Sequence, residues 1–209
     1  MANKRQSGFT LIEIIMTMAI SAGLAVVALA GFSAMRAQTQ FSDAVERLRE
    51  ATVQRRTETN SAVQFTSGDD ASQIAFGRIM TFTPGSGIVQ IQTLVTSSTE
   101  SPAANQMVKV TNDNALSYTV AWGVVFKKGL GDAPAAKRQV AFIRSPVDGS
   151  LHSIVSPAGG WPLISGNYIY SDFISGIVPS AVSLQVGDGT RTATIDINPA
   201  TNGVGRTFQ

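Results

Sequence analysis

The sequence contains no cysteine and only one histidine among its 209 residues. The lack of cysteine excludes disulfide bonds, thiol catalysis and the usual zinc sites. Charge is also scarce: without Lys4 and Arg5, the 16 basic residues fall to 14, which equals the 14 acidic residues. A chain that is neutral from Phe9 onward lacks the clustered Lys and Arg of an extended nucleic-acid surface.

One long apolar segment is present, from Phe9 to Phe32, and Glu13 is its only charged residue. As an α-helix its 24 residues span about 36 Å, enough for a hydrocarbon core of roughly 30 Å. Lys4 and Arg5 precede it, so the positive-inside rule predicts a cytoplasmic N-terminus and an extracytoplasmic remainder. We therefore expect a single-pass protein of the cytoplasmic (inner) membrane.

Three interpretations of this segment compete. It is a plain membrane anchor, or a signal peptide with a cleavage pattern at Ala28-Leu29-Ala30, or an anchor with a further role for its carboxylate. A carboxylate at mid-bilayer costs roughly 2.5–3.5 kcal/mol by insertion scales. Retention of Glu13 at that cost favours the third interpretation and indicates a partner for the charge.

Residues 7–13 (Ser-Gly-Phe-Thr-Leu-Ile-Glu) resemble the cleavage and N-methylation signature of type IV prepilins and pseudopilins. That signature is a basic leader, here residues 1–8 with Lys4 and Arg5, then Gly8, Phe9 and a Glu at the fifth position after the cut. The resemblance implies that a prepilin peptidase cleaves after Gly8 and methylates the amine of Phe9. It also implies that Glu13 pairs with the Phe9 amine of a neighbouring subunit and sets the axial register of a filament.

The helical pattern continues beyond the apolar segment. Residues 33–57 contain no Pro, and their apolar side chains recur at helical spacing. We predict one helix from Phe9 to near Thr57, with its second half amphipathic; a separate helix after a flexible joint is the alternative. The stripe expected to face a sheet consists of Phe41, Val45, Leu48 and Thr52, with Ala44 and Ala51 beside it.

Residues 58–209 have the composition of a β-rich domain, with many Ser, Thr, Gly and β-branched residues. Together with the helix they predict an α+β pilin fold, in which the long N-terminal helix packs on an antiparallel β-rich extracytoplasmic domain. Ser97–Asn105 and Ser156–Trp161 are predicted loops, and residues 186–190 a tight hairpin turn. The predicted strands are Ile74–Phe82, Ile88–Val95, Met107–Val110, Tyr118–Phe126, Gln139–Ile143, Val182–Val186 and Thr192–Ile197.

Residues that carry chemistry are few, and we expect no catalysis, no cofactor and no metal site. His152 falls in a predicted turn without a second histidine. Carboxylates that would hold a calcium ion lack EF-hand spacing; they are Asp69, Asp70, Asp188 and Asp196.

The expected function is that of a structural subunit of a type IV pilus or a type II secretion-like filament. Its expected partners are the prepilin peptidase, other pilin or pseudopilin subunits, the inner-membrane assembly platform, and the lipid bilayer before assembly. Residues 41–63 and 193–206 also resemble the GspH/FimT-type minor pilins. The alternative is a binding module, either for DNA uptake through Arg191 and Arg206 or for tip adhesion. Trp122 and Trp161 are expected to be packing residues, and Trp161 is the one to test for an adhesive role.

Overall fold

The computed structural model describes residues 9–60, 64–67, 70–96, 107–129, 136–144, 150–164, 167–175, 182–198 and 203–208. Lys4, Arg5, Gly8 and the predicted loop Ser97–Asn105 lie outside these residues. Two compact units are present, Met1–Ser42 and Asp43–Gln209, and their boundary falls within the first helix. The predicted segment boundaries at residues 8, 32 and 57 remain predictions.

Helix α1 runs from Leu11 to Asn60 without interruption. The predicted continuous helix is confirmed, and it ends three residues later than expected. Its first part, through Met35, exposes its large apolar side chains, whereas the predicted stripe in its second part is buried. The buried members are Phe41, Ala44, Val45, Leu48, Ala51 and Thr52.

Eleven strands and one short helix are described after α1, and every strand pair is antiparallel. One sheet has the order β7-β6-β2-β3-β4-β8, with β1 paired to β2; the other has the order β11-β10-β9-β5. This arrangement confirms the α+β class. The bounds are β1 Gln64–Ser67, β2 Asp70–Phe82, β3 Ile88–Thr96, β4 Met107–Thr119, β5 Val125–Gly129, β6 Arg138–Arg144, β7 Leu151–Val155, β8 Tyr168–Ile169, α2 Tyr170–Ser175, β9 Val182–Gly187, β10 Thr192–Asn198 and β11 Gly203–Phe208.

The second half of α1 contacts both sheets. Arg49 Nε donates a 2.9 Å hydrogen bond to the Val204 carbonyl of β11, and Glu58 lies 3.9 Å from Arg78 Nε of β2. The sheets contact each other through the rings of Phe82 and Phe126, whose centroids are 5.7 Å apart. The second half of the helix therefore belongs to the same core as the two sheets.

A covering segment, residues 156–164 and 167–175 with α2, packs on the other face of the large sheet. Its Trp161, Tyr168 and Phe173 form edge-to-face contacts and bury against Ile79 and Ile143. Strand β6 is thus covered on both faces. This explains why its inner residues form a continuous apolar-rich run in the sequence, and do not alternate between apolar and polar residues.

Three sequence-based expectations are wrong in this domain. The predicted strand Tyr118–Phe126 is broken by a turn, because Trp122 and Gly123 both adopt positive φ. His152 lies in strand β7 and not in a turn. Trp122 was expected to be a packing residue but is 57% exposed; Trp161 is only 5% exposed because it packs on Phe173, as expected for a packing residue, and so it is not an exposed adhesive residue.

Candidate functional site

Of the N-terminal residues singled out by the sequence, Phe9 lies just before α1 and Glu13 lies in its first turn. The helix begins at Leu11, so Thr10 occupies the N-cap position and Glu13 the third helical position. Glu13 Oε2 accepts hydrogen bonds from the Thr10 backbone N–H and from the Thr10 hydroxyl, both at 3.0 Å. The Glu13 N–H donates in return to Thr10 Oγ1 at 3.4 Å. These reciprocal bonds form a capping box, which satisfies helix N–H groups that lack a partner within the helix.

The capping box explains how an apolar helix keeps a carboxylate. The N-terminus of a helix carries a partial positive charge, which favours an anion in its first turn. Glu13 therefore has a local partner before any second subunit is considered. The T-x-x-E spacing of Thr10 and Glu13 is visible in the sequence and predicts this local partner, in addition to the partner expected from another chain.

Two other hydroxyl groups along this part of the helix also donate to its own backbone. Thr17 Oγ1 donates to the carbonyls of Glu13 and Ile14, each at 2.9 Å, and Ser33 Oγ donates to the Ala30 carbonyl at 2.8 Å. Such bonds remove the need for water at these positions. The surface that the helix offers to its surroundings is accordingly apolar beyond the first turn.

That apolar surface extends around the whole helix. Phe9 is 81% exposed, and the large apolar side chains from Leu11 to Met35 are exposed on every face. The helix is long and apolar enough to cross a membrane. A helix that is apolar all round requires lipid or other apolar helices around it, because water solvates such a surface poorly.

Comparison with protein families identifies this same region. Residues 3–32 match the prokaryotic N-terminal methylation motif. The match supports the type IV prepilin and pseudopilin family, whose members are structural subunits of filaments, and it agrees with an inner-membrane anchor. It does not extend to the GspH/FimT-type features. No curated protein matches the chain, and no solved structure matches it either.

The two arginines suggested for DNA contact lie in ion pairs. Arg206 Nη1 lies 2.5 Å from Glu46 Oε2, and the guanidinium of Arg206 also lies over the ring of Phe208 at 5.2 Å. Arg191 Nη1 lies 3.7 Å from Asp188 Oδ2. Each of the two guanidinium groups therefore already has a carboxylate partner.

The carboxylates considered for calcium have structural roles where the structure describes their side chains. Asp188 Oδ1 accepts the N–H groups of Thr190 and Arg191 and so closes the β9–β10 turn at the predicted place. Asp196 accepts hydrogen bonds from the hydroxyl groups of Ser183 and Thr207. Within the described part of the chain no cluster of three or more metal-binding side chains occurs.

Among the described residues, the side-chain partner of His152 is a hydroxyl group. Its Nε2 lies 2.7 Å from Ser150 Oγ, two residues before it. Acyl transfer by a Ser–His pair also needs a group that orients the imidazole and donors for the oxyanion. Among the residues that the structure describes, no carboxylate is bonded to His152, and we assign this pair no chemistry.

Proposed function

We propose that this chain is a structural subunit of a type IV pilus or a type II secretion-like filament. The prepilin peptidase cleaves it after Gly8 and methylates the Phe9 amine, and the subunit then assembles through its N-terminal helix. The observation that carries the proposal is a match to the methylation motif on a helix whose first part, through Met35, exposes its large apolar side chains. Before assembly the bilayer covers that surface, with the N-terminus in the cytoplasm and residues 58–209 outside.

The capping box supports a specific role for Glu13 in assembly. One carboxylate oxygen, Oε2, is occupied by Thr10, while Oε1 has no hydrogen bond from any described residue. Oε1 therefore faces the surroundings on a helix turn that is already ordered. When a processed neighbour docks, its Phe9 amine brings a positive charge that pairs with Oε1 in a medium of low dielectric constant.

The pairing fixes the axial position of neighbouring helices. Two charges buried as a pair cost far less free energy than either charge buried alone. An axial slip of one helix would leave both the amine and Glu13 without partners. The inner-membrane assembly platform would then add subunits at one register only.

Glutamine at position 13 separates the two roles of the carboxylate. In the native host, Glu13→Gln keeps an oxygen that accepts the Thr10 hydrogen bonds but removes the charge, and Glu13→Ala removes both. We expect both variants to be cleaved after Gly8 and both to be depleted from sheared filaments, as measured by immunoblot against total protein. Thr10→Ser is the matched control, because it retains the cap and the charge. Wild-type incorporation of Glu13→Gln would overturn the charge-pairing mechanism.

Processing itself is tested at the residue before the cut. Replacing Gly8 by Trp places a bulky side chain at the peptidase site and should leave the leader attached. Intact mass measurement of the membrane-bound protein would then give the full-length chain, whereas the wild-type protein would begin at a methylated Phe9. A wild-type product that begins at Gly31 would instead identify the segment as a signal peptide.

DNA uptake is less well supported than filament building. Arg191 and Arg206 each lie beside a carboxylate, so a phosphate would have to compete with that carboxylate for the guanidinium group. Salt-dependent binding of duplex DNA by the full chain, lost on Arg206→Gln, would favour the alternative.

A further inference from the structure

The turn between β4 and β5 holds a tryptophan in an unfavourable backbone conformation. Trp122 has φ of 63° and Gly123 has φ of 69°, and the Val124 N–H bonds back to the Ala121 carbonyl at 3.4 Å. Turns with two positive φ values favour Asn-Gly, and a bulky residue at the first position is a conformational outlier. The indole is also 57% exposed. Strain and apolar exposure together at one residue suggest a function for that residue.

A second turn is joined to this one by main-chain hydrogen bonds. The 83–86 turn, with Pro84 followed by Gly85 at φ of 76°, is bonded to the segment after Trp122. The Gly85 N–H donates to the Phe126 carbonyl at 2.9 Å, and the Phe126 N–H donates to the Ser86 carbonyl at 3.0 Å. The strained turn is thus held by main-chain bonds, and a ligand that stacked on the indole would meet a preorganised surface.

The sheet face beside these turns is only partly covered. Thr81 pairs with Gln139 on one side and with Gln90 on the other, so all three lie on one face. The covering segment packs on that face at Gln139, which bonds to Tyr168 Oη at 2.9 Å. Farther along the face, Ile88 and Gln90 are exposed.

These exposed residues continue onto β4. Ile88 is paired with Thr119 and Gln90 with Ser117, and both of these β4 residues are exposed as well. We call this surface the shelf: Ile88, Gln90, Ser117 and Thr119 on the sheet, with Trp122 in the turn that follows. Residues 79–91 and 114–126, which include the whole shelf, contain no charged side chain.

The chemistry of the shelf selects one class of ligand. Anions need Lys or Arg, and metal cations need carboxylates, which these segments lack. A lipid or purely apolar ligand does not match a surface on which an amide and hydroxyl groups alternate with Ile88. A neutral saccharide matches all of it: its C–H faces stack on the negative face of the indole, and its hydroxyl groups bond to Gln, Ser and Thr. We propose that the shelf binds a neutral saccharide, with Trp122 as the stacking platform.

The test uses the full chain in detergent micelles and three neutral probes: maltohexaose, cellohexaose and hexa-N-acetylchitohexaose. We expect at least one of them to bind by calorimetry and to change the tryptophan fluorescence. Trp122→Asn should weaken that binding by about tenfold or more, and Gln90→Ala by several-fold. Because Asn suits the turn, Trp122→Asn should also raise the melting temperature, which separates lost binding from lost folding. Leu163→Asn, which removes another exposed apolar side chain outside the shelf, should bind normally.

Two results would overturn the proposal. Failure of all three saccharides to bind the wild-type chain is one, and normal binding by Trp122→Asn is the other. Sedimentation at several concentrations provides a further outcome. If Trp122→Asn abolishes self-association that no saccharide affects, the shelf is a contact between copies of this chain. That contact would leave the filament proposal standing, since the Glu13 variants test it separately.

Discussion

Arg206, in the last strand of the domain, lies 2.5 Å from Glu46, on the helix 160 positions earlier in the chain. Glu46 also binds Arg49 at 3.1 Å, and Arg49 Nε in turn binds the Val204 carbonyl of the same strand. One carboxylate thus holds two guanidinium groups and fastens β11 to α1. The contact closes the domain, because it joins the C-terminal strand to the helix that begins the fold.

The strength of this contact is measurable by a double-mutant cycle. All three side chains are about one-third exposed, and water screens such pairs, so we expect a Glu46–Arg206 coupling of about 0.5–1 kcal/mol. Glu46→Gln, Arg206→Gln and the double variant are compared by urea unfolding. Additive effects of the two substitutions would show that the pair does not fasten the strand.

The Thr10 hydroxyl group should order the first turn of α1. Thr10→Val removes the hydroxyl that bonds to Glu13, and loss of an N-cap typically costs about 1 kcal/mol. Amide exchange of the first-turn N–H groups in micelles, measured by mass spectrometry or NMR, should therefore accelerate about fivefold. Thr10→Ser retains the hydroxyl and should exchange as the wild type does. Equal rates in all three proteins would count against the capping box.

Gln139 should be among the most sensitive polar residues of the domain. It is buried, its Nε2 donates to Thr81 Oγ1 and Tyr168 Oη, and its Oε1 accepts the Trp161 N–H at 2.8 Å. Gln139→Leu leaves these buried groups without partners and should cost roughly 2–4 kcal/mol in unfolding free energy. Tyr168→Phe removes only one bond and should cost about 1 kcal/mol. A Gln139→Leu protein as stable as Tyr168→Phe would contradict this role.

Substitution of Gly160 should lower the stability of the domain, because a side chain at this position would crowd Gln139. It has φ of 91°, and a Cβ atom built on it would lie 2.7 Å from Gln139 Oε1. Gly160→Ala should therefore destabilise the domain by more than 1 kcal/mol, since it adds backbone strain and crowds a buried amide. Gly159→Ala is the comparison, because its φ is also positive but no atom lies within 4 Å of its added Cβ. Equal costs at both positions would assign the effect to backbone strain alone.

The Asp188 turn should give the domain a pH dependence in acid. Burial acts to raise the pKa of Asp188, but the backbone N–H groups of Arg191 and Thr190, the Thr190 hydroxyl group and the Arg191 charge together outweigh it, so the folded pKa is lowered. A lowered folded pKa stabilises the protein above the unfolded value, about 3.9, and that stability disappears as the pH falls through the folded pKa. Asp188→Ala should lose about 1 kcal/mol at pH 7, and the difference from wild type should shrink toward pH 2. A difference that is constant with pH would exclude the carboxylate as its cause.

The sequence by itself determined the helix and the site at its start. Both depend on local information: an apolar run without Pro, and Thr10 and Glu13 at capping-box spacing, which meet within one helical turn. The α+β class also followed from composition and from the alternation of strands and turn residues. None of these features requires contact between distant segments.

The tertiary structure alone decided which side chains in the domain are exposed and unpaired, and so able to bind another molecule. Trp161 and Trp122 are the same residue type. The fold nevertheless buries Trp161 against Phe173 and exposes Trp122 at a strained turn. From the sequence, Arg206 is expected to be a solvated surface cation. The fold brings Glu46, which lies 160 positions earlier in the chain, into an ion pair with it. Burial and ion pairing depend on which strands and helices become neighbours, and periodicity along one segment carries no information about its neighbours in space.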